Sequence, residues 1–292
     1  MRVLIIAHPI VGIDKEKRRV IEQISASISR NKGSVDVAHT MKPGIGTVYS
    51  SRAALEGYNA VYAAGGDGTV NDVASGLVGR PVPLGIIPLG TGNGFARSLD
   101  IPFETDKLID MFSKNKTTIV DVGKISSHFF MATAGIGFDA FIAHDFKHKE
   151  RGSRKLLTYF LIGVRRYFKE TTENLMLVAD GRELKRRVFG LTIANVPQYG
   201  GGAIIAPQAS PRSGTLIAVL IPKFNPLRAL PLLKRLFDGS VDSVRGLEYI
   251  EFKTLRIKRE RAGIYHVDGE TFQGNPTLNV TVIPNALRVI VP

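Results

Sequence analysis

The stretch Tyr62-Ala63-Ala64-Gly65-Gly66-Asp67-Gly68-Thr69-Val70-Asn71-Asp72 decides the reading of the fold. It joins a short apolar run, Asn59–Ala64, to a helical stripe of Val70, Val73, Ala74 and Leu77. Their i, i+3, i+4, i+7 spacing puts those four on one helix face. Glycines at 65, 66 and 68 let the backbone adopt positive φ and approach a bulky anion closely. N–H groups at the start of the following helix would point at that anion, aided by the helix dipole. Asp67 runs against this logic, because a carboxylate beside phosphates repels them. A Mg²⁺ ion shared between carboxylate and phosphate oxygens resolves the conflict. Thr69 and Asn71 can add side-chain hydrogen bonds. The loop is neither a P-loop, which needs Gly-Lys-Ser/Thr, nor the spaced-glycine dinucleotide fingerprint. The same residues also read as a tight strand–helix turn with Asp67 as N-cap, and spacing alone leaves both readings open.

Working outward, Val3–Ala7, Val35–Ala38 and Pro83–Ile87 read as strands. Lys15–Arg30 reads as a helix on Val20, Ile21, Ile24 and Ile28, and Ser50–Gly57 as another. This alternation predicts a parallel sheet with helices on both faces. A second loop, Gly90-Thr91-Gly92-Asn93-Gly94, follows the fourth strand and opens a helical piece, Phe95–Leu99. Carboxyl ends of neighbouring parallel strands lie side by side, so both loops should frame one crevice. After about residue 117 the pattern changes. Thr118–Ile125, Phe129–Ala134, Leu175–Ala179, Phe189–Val196, Thr215–Ile221, Glu251–Ile257, Ile264–Val267 and Leu278–Ile283 all read as strands, the pattern of a β-sandwich. Helical exceptions are Arg154–Lys169 and Pro226–Asp238. The domain boundary is expected near Val122, giving an α/β domain over 1–122 and a β-sandwich over 123–284.

Composition is that of an ordinary globular chain: 292 residues, 44% hydrophobic and 22% charged. The chain has no cysteine, which excludes disulfides and thiolate metal sites. Its six histidines lack metal-ligand spacing. The longest apolar run, Leu156–Val164, is far short of the ~20 residues of a membrane-spanning helix. A cytoplasmic, soluble or peripheral protein is therefore expected. Net charge is +13, which favours polyanionic partners without choosing among them.

At the two glycine loops the sequence resembles the diacylglycerol kinase catalytic family, with its bacterial lipid kinases and the sphingosine and ceramide kinases. The matching text is Gly65–Asp72 and Pro88-Leu89-Gly90-Thr91-Gly92-Asn93-Gly94-Phe95-Ala96-Arg97. Further matches are Ala134–Ala140, Gly200-Gly201-Gly202 before Ala206-Pro207, and His266-Val267-Asp268-Gly269-Glu270. The resemblance spans nearly the whole chain. It implies an NAD kinase-like two-domain fold in which residues 285–292 return to the first domain. It implies ATP and Mg²⁺ as cofactors and a lipid hydroxyl, most simply that of diacylglycerol, as acceptor. Asp268 would be the general base and Glu270 part of its polar network. Thr40, Gly65, Gly66, Asp67, Gly68, Thr69, Asn71, Thr91 and Asn93 would surround the nucleotide, with Asp67 on the metal. Arg97 and Asp121 match positions that the family links by ion pairing. Alone, Asp268-Gly269 reads first as a plain hairpin turn.

The sequence departs from the family at three places. His8-Pro9 stands where Asn-Pro is usual, Gly94 where many bacterial members carry Asp, and Ser213 and Ala218 where some carry carboxylates for a structural Mg²⁺. No structural Mg²⁺ is expected at Ser213 and Ala218. The basic, aromatic stretches Lys147–Lys169 and Lys223–Phe237 are candidates for contact with anionic lipid; two helices with solvated basic faces are the plainer alternative. The expected partner is a lipid substrate at an anionic membrane surface, with a homodimer left open and no nucleic acid. Rival readings are a kinase of another lipid alcohol, an NAD kinase-like enzyme, and a non-catalytic basic binding protein.

Overall fold

The computed structural model describes residues 1–147, 165–225 and 234–292. It divides into two compact units, Met1–Asp121 with Asn285–Pro292, and Val122–Pro284.

The first unit contains β1 (Arg2–Ala7), α1 (Pro9–Ile13), α2 (Lys15–Arg30), β2 (Ser34–His39), α3 (Ile45–Ala53), β3 (Ala60–Gly65), α4 (Asp67–Ser75), β4 (Leu84–Pro88), α5 (Gly94–Ser98) and α6 (Thr105–Lys114). The strands run parallel in the order β2-β1-β3-β4. Val289, near the end of the chain, pairs in parallel with Leu84. Every residue of β3 and β4 is buried, as expected of parallel strands covered on both faces. α2 buries Ile21, Ile24 and Ile28, and Asp14 caps it by accepting the Glu16 and Lys17 N–H groups. α3 begins at Ile45, earlier than periodicity predicts. The reason is a cap from a neighbouring helix: the Asp72 carboxylate of α4 accepts the N–H groups of Gly46 and Thr47 at 2.9 and 3.1 Å. α6 was not anticipated; it buries Leu108, Met111 and Phe112, and Phe112 stacks on Tyr62 with ring centroids 4.2 Å apart.

The remaining elements are β5 (Thr117–Ile125), β6 (His128–Phe130), β7 (Thr133–Gly137), α7 (Phe138–Lys147), β8 (Glu173–Ala179), β9 (Arg182–Val188), β10 (Gly190–Ala194), β11 (Gln198–Gly200), β12 (Ala203–Ile204), β13 (Leu216–Ile221), β14 (Glu248–Phe252), β15 (Thr254–Arg259), β16 (Gly263–Val267), β17 (Glu270–Gly274) and β18 (Thr277–Ile290). In the second unit one layer runs β18-β15-β8-β9 and the other β14-β13-β10-β7-β16-β17, with antiparallel pairing. Phe130, Leu177, Leu191, Ile193, Phe252 and Ile257 belong to its buried core.

Two expected strands are each broken in two. Phe129–Ala134 becomes β6 and β7, because the N–H groups of residues 131–133 turn toward the Asp268 carboxylate. Glu251–Ile257 becomes β14 and β15, which lie in different layers. The chain turns at Lys253, where Asp180 accepts the N–H groups of Lys253 and Thr254. β9 escaped the sequence reading because Arg182-Glu183-Leu184-Lys185-Arg186-Arg187-Val188 is mostly charged. The predicted helices Arg154–Lys169 and Pro226–Asp238, and the basic faces assigned to them, lie largely outside the described residues; their last turns, 165–169 and 234–238, are helical. No described helix is long and apolar enough to cross a membrane.

Candidate functional site

Strand register brings the carboxyl ends of the parallel strands to one edge. Ala7 lies opposite both His39 and Ala64, and Gly65 lies opposite Pro88. His8, Thr40, Gly65–Thr69 and residues 90–93 therefore share that edge, where open α/β sheets bind ligands. Thr40 is anchored there by its N–H, 2.9 Å from the Ala7 carbonyl. His8 caps α1, its Nδ1 accepting the Ile10 N–H at 3.2 Å.

The two glycine loops are packed backbone against backbone. The Leu89 N–H donates to the Gly65 carbonyl at 2.9 Å. A Cβ on Gly90 would lie 2.4 Å from the Gly66 Cα, so no side chain fits between them. A Cβ on Gly65 would lie 2.5 Å from the Oγ1 of Thr69, which is buried. α4 starts at Asp67 with Gly66 as N-cap and no side-chain cap. Asp67 therefore sits inside the first turn, not in the capping position that the plain-turn reading gave it. Its neighbours Gly66 and Gly68 are half-buried, Asn71 is half-buried one turn on, and Thr91 is exposed at the tip of the second loop.

Asn93, one of the residues expected around the nucleotide, has a structural part in the loop. It adopts the left-handed conformation, φ 53°, and is 3% exposed. Its Oδ1 accepts the Gly90 N–H at 3.2 Å and its Nδ2 donates to the Gly90 carbonyl at 2.8 Å. The amide braces the loop. Arg97, expected to pair with Asp121, has local contacts: Nε donates to the Gly92 carbonyl at 3.2 Å and the guanidinium lies over the Phe103 ring. Asp121 is buried and accepts the Asn285 N–H at 2.8 Å.

The donor set at this edge fits magnesium. Asp67 is the acid in the first turn of α4, and no cage of three or more His, Cys, Asp or Glu forms among the described residues. Mg²⁺ keeps several waters and is commonly held by one or two carboxylates plus substrate phosphates.

In the second unit, Asp268 and Gly269 form the two-residue turn between β16 and β17, with φ of 46° and 85° and Val267 opposite Glu270. Two left-handed residues make the primed turn that matches strand twist. The hairpin reading of this dipeptide is thus correct as local structure. The turn also carries the carboxylate inward: Oδ2 accepts the Met131 N–H at 2.7 Å, and Oδ1 accepts those of Ala132 and Thr133 at 2.9 Å each. Asp268 is 9% exposed; Glu270, which opens β17, is half-buried.

Sequence reasoning missed a polar network in the same sheet. His266 of β16 is buried, with Nε2 2.9 Å from the Asp139 Oδ2 of α7. Thr192 of β10 donates to the same oxygen at 2.8 Å and lies 2.5 Å from the Tyr199 hydroxyl. Burial, reinforced by the Asp139 charge, pushes the Tyr199 hydroxyl well above its ordinary value. A Cβ on Gly135 would lie 2.3 Å from Asp139 Oδ2, so that glycine keeps the network's space. The signal was in the Ala134–Ala140 match, whose Gly135 and Asp139 serve this network. At the stretch where some relatives carry acids, Ser213 bonds to the Ser210 and Thr215 carbonyls and Ala218 is buried.

Comparison with known proteins gives this geometry a family. Residues 2–125 match the Diacylglycerol kinase catalytic domain, and residues 132–291 match the YegS C-terminal NAD kinase beta sandwich-like domain. The chain belongs to the diacylglycerol kinase and YegS-like lipid kinase family. It is 29% identical to a diacylglycerol kinase of Mycobacterium tuberculosis over 82% of this chain and 79% of that one. It is 24% identical to a diacylglycerol kinase of Staphylococcus carnosus over 100% of this chain and 95% of the other. A diacylglycerol kinase structure from Bacillus anthracis shares the fold with TM-score 0.76 and 20% identity, covering 100% of this chain and 97% of that one. An NAD kinase from Archaeoglobus fulgidus, solved with ATP, aligns with TM-score 0.57 and 14% identity over 99% and 93%. The expected fold class, an NAD kinase-like α/β domain with a β-sandwich, is the one observed, and the chain is a kinase of this family.

Proposed function

We propose that this kinase transfers the γ-phosphoryl group of ATP to a lipid hydroxyl, that of diacylglycerol, giving phosphatidic acid. The carrying observation is the close packing of Gly66 against Gly90, which merges two glycine loops into one backbone-lined lobe at the sheet's carboxyl edge. Phosphoryl transfer asks for alignment and charge neutralisation more than for covalent chemistry. N–H groups at the start of α4 supply donors for phosphate oxygens. In this reading Thr40, Thr69, Asn71 and Thr91 are the further nucleotide contacts, and Asn93 keeps the second loop's shape. Asp67 would hold Mg²⁺, which when bound neutralises phosphate charge.

Asp268 is the general base in this reading. The acceptor oxygen forms its bond to the γ-phosphorus as the bond to ADP breaks, and its proton passes to the Asp268 carboxylate. Three N–H donors orient that carboxylate. A positioned base contributes ~10²–10⁴-fold. Glu270, at the next strand position, completes the polar surroundings. The place of action is a bilayer surface reached peripherally, without crossing it.

The test is a labelled-ATP screen of lipid acceptors with mass identification of products. Wild-type protein should phosphorylate diacylglycerol. Asp268→Asn should lose about 10²–10⁴-fold in turnover while ATP binding persists. Because an amide would face one N–H donor, thermal melting accompanies the assay. A folded, fully active Asp268→Asn protein ends the base assignment, and transfer to NAD with none to lipid ends the lipid reading.

A further inference from the structure

Register arranges the outward side chains of β9, β8, β15 and β18 in rows. Lys185, Met176, Lys258 and Thr277 form one row, and Glu183, Val178, Arg256 and Asn279 another. Arg187 and Asn174 pair at the start of a third. Strand side chains alternate, so these positions oppose the core residues Leu175, Leu177, Leu255 and Ile257. Lys185, Arg187, Arg256 and Lys258 are all exposed. Among the described residues none of the four joins a salt bridge. Arg187 and Arg256 bond to neutral partners, Thr172 at 2.6 Å and Asn279 at 3.3 Å. The acids beside them are Glu183 and Glu260, and Glu260 accepts the Asn174 amide at 3.0 Å.

Two lysines thus flank Met176 directly across the sheet, with a shallow depression of about 480 Å³ between the strands there. Half-exposed Met176 and Val178 add apolar surface between them. Cations around a small apolar centre, on a sheet face four strands wide, complement a broad anionic plane.

We infer that this face of β8, β9, β15 and β18 docks the enzyme on an anionic lipid bilayer. The choice of a bilayer as occupant rests on the lipid-kinase reading, since a diacylglycerol substrate resides in one. Each Lys or Arg at an anionic surface contributes about 1 kcal/mol, or about fivefold in partitioning. Losing two such contacts should weaken binding by roughly thirtyfold.

The experiment sediments the full chain with phosphatidylcholine vesicles carrying increasing phosphatidylglycerol. Binding should rise with phosphatidylglycerol and fall with salt. Lys185→Glu with Lys258→Glu should lose roughly thirtyfold or more, while Lys185→Arg with Lys258→Arg should retain binding. Arg19→Glu with Arg30→Glu, on the exposed side of α2, imposes the same net-charge change and should stay near wild type. Phosphorylation of a short-chain, water-soluble diacylglycerol should be unchanged in all variants. An equal loss in the α2 pair would show a net-charge effect and overturn the inference. So would binding indifferent to phosphatidylglycerol, or a Lys185/Lys258-dependent retention on nucleic acid but not on vesicles. Sedimentation needs no turnover, so its outcome stands apart from failure of the kinase reading, which shows as no phosphorylated acceptor in any variant.

Discussion

Replacing Gly90 by alanine drives a wedge between the two glycine loops. The added methyl would lie 2.4 Å from the Gly66 Cα, 3.2 Å from its nitrogen and 2.9 Å from the Asn93 Oδ1. Carbon atoms in contact prefer about 3.5–4.0 Å, so the loops must part by about 1 Å. The nearest carbon belongs to backbone and cannot rotate aside. Overpacking of this kind costs about 1–3 kcal/mol. At ~2–4 °C per kcal/mol for a chain of this size class, melting should fall by about 2–12 °C. The kinetic effect should be larger, because a misplacement of about 1 Å can cost about 10²-fold. We expect kcat/KM for ATP to drop by that order while KM for the acceptor lipid holds.

Gly66→Ala supplies the internal control. Its methyl would meet the Gly90 Cα at 3.2 Å, a tight contact relieved by a few tenths of an ångström. Its φ of −95° suits alanine. The order of damage should therefore be Gly90→Ala well beyond Gly66→Ala, in both melting and nucleotide titration. Wild-type ATP kinetics in Gly90→Ala, or the reverse order, would refute the shared phosphate lobe.

Other substitutions separate scaffold from site. Asn93→Ala removes both bonds to Gly90 and should raise KM for ATP without moving KM for lipid, as read by steady-state kinetics. Asp72→Ala strips the cap from α3 and should cost about 0.5–2 kcal/mol in chemical denaturation, with turnover per folded molecule unchanged. His128 titrates in the opposite sense to a salt-bridged histidine. Burial holds its imidazole below the ordinary 6.5, so the unfolded chain takes up that proton first. Its contribution is present above pH 6.5 and is lost as pH falls through the lower folded value. Denaturation midpoints on either side of that window should show less acid loss in His128→Gln than in wild type.

The α/β half was legible because its signals are local. Buried parallel strands read as apolar runs, and α2 carries its isoleucines at helical spacing. Errors arose where a distant side chain sets a boundary. α3 starts early because Asp72 reaches back to it, and the run 129–134 breaks because Asp268, far along the chain, claims its N–H groups. β9 was illegible for another reason: one face is solvent, so charge masks its alternation. At the site, the glycines were readable as positions needing no side chain. That Asn93 braces its loop and that Asp139 holds His266 depends on rotamers and cross-strand register, which no linear spacing encodes.

Asp268 shows why turn and base need not compete as explanations. A non-glycine residue at φ 46° carries a conformational cost of order 1 kcal/mol or more. Asp and Asn bear that cost better than other side chains, which makes Asp-Gly and Asn-Gly the favoured pairs for this turn. The left-handed backbone is what aims the carboxylate at the three N–H groups of residues 131–133. A turn alone would be served as well by an asparagine at this position as by the aspartate. What distinguishes them is the carboxylate, as acceptor of all three N–H groups and as base, so Asp268→Asn should lower melting modestly and keep the hairpin by circular dichroism while phosphoryl transfer is lost. If both survive, the aspartate is there for the turn.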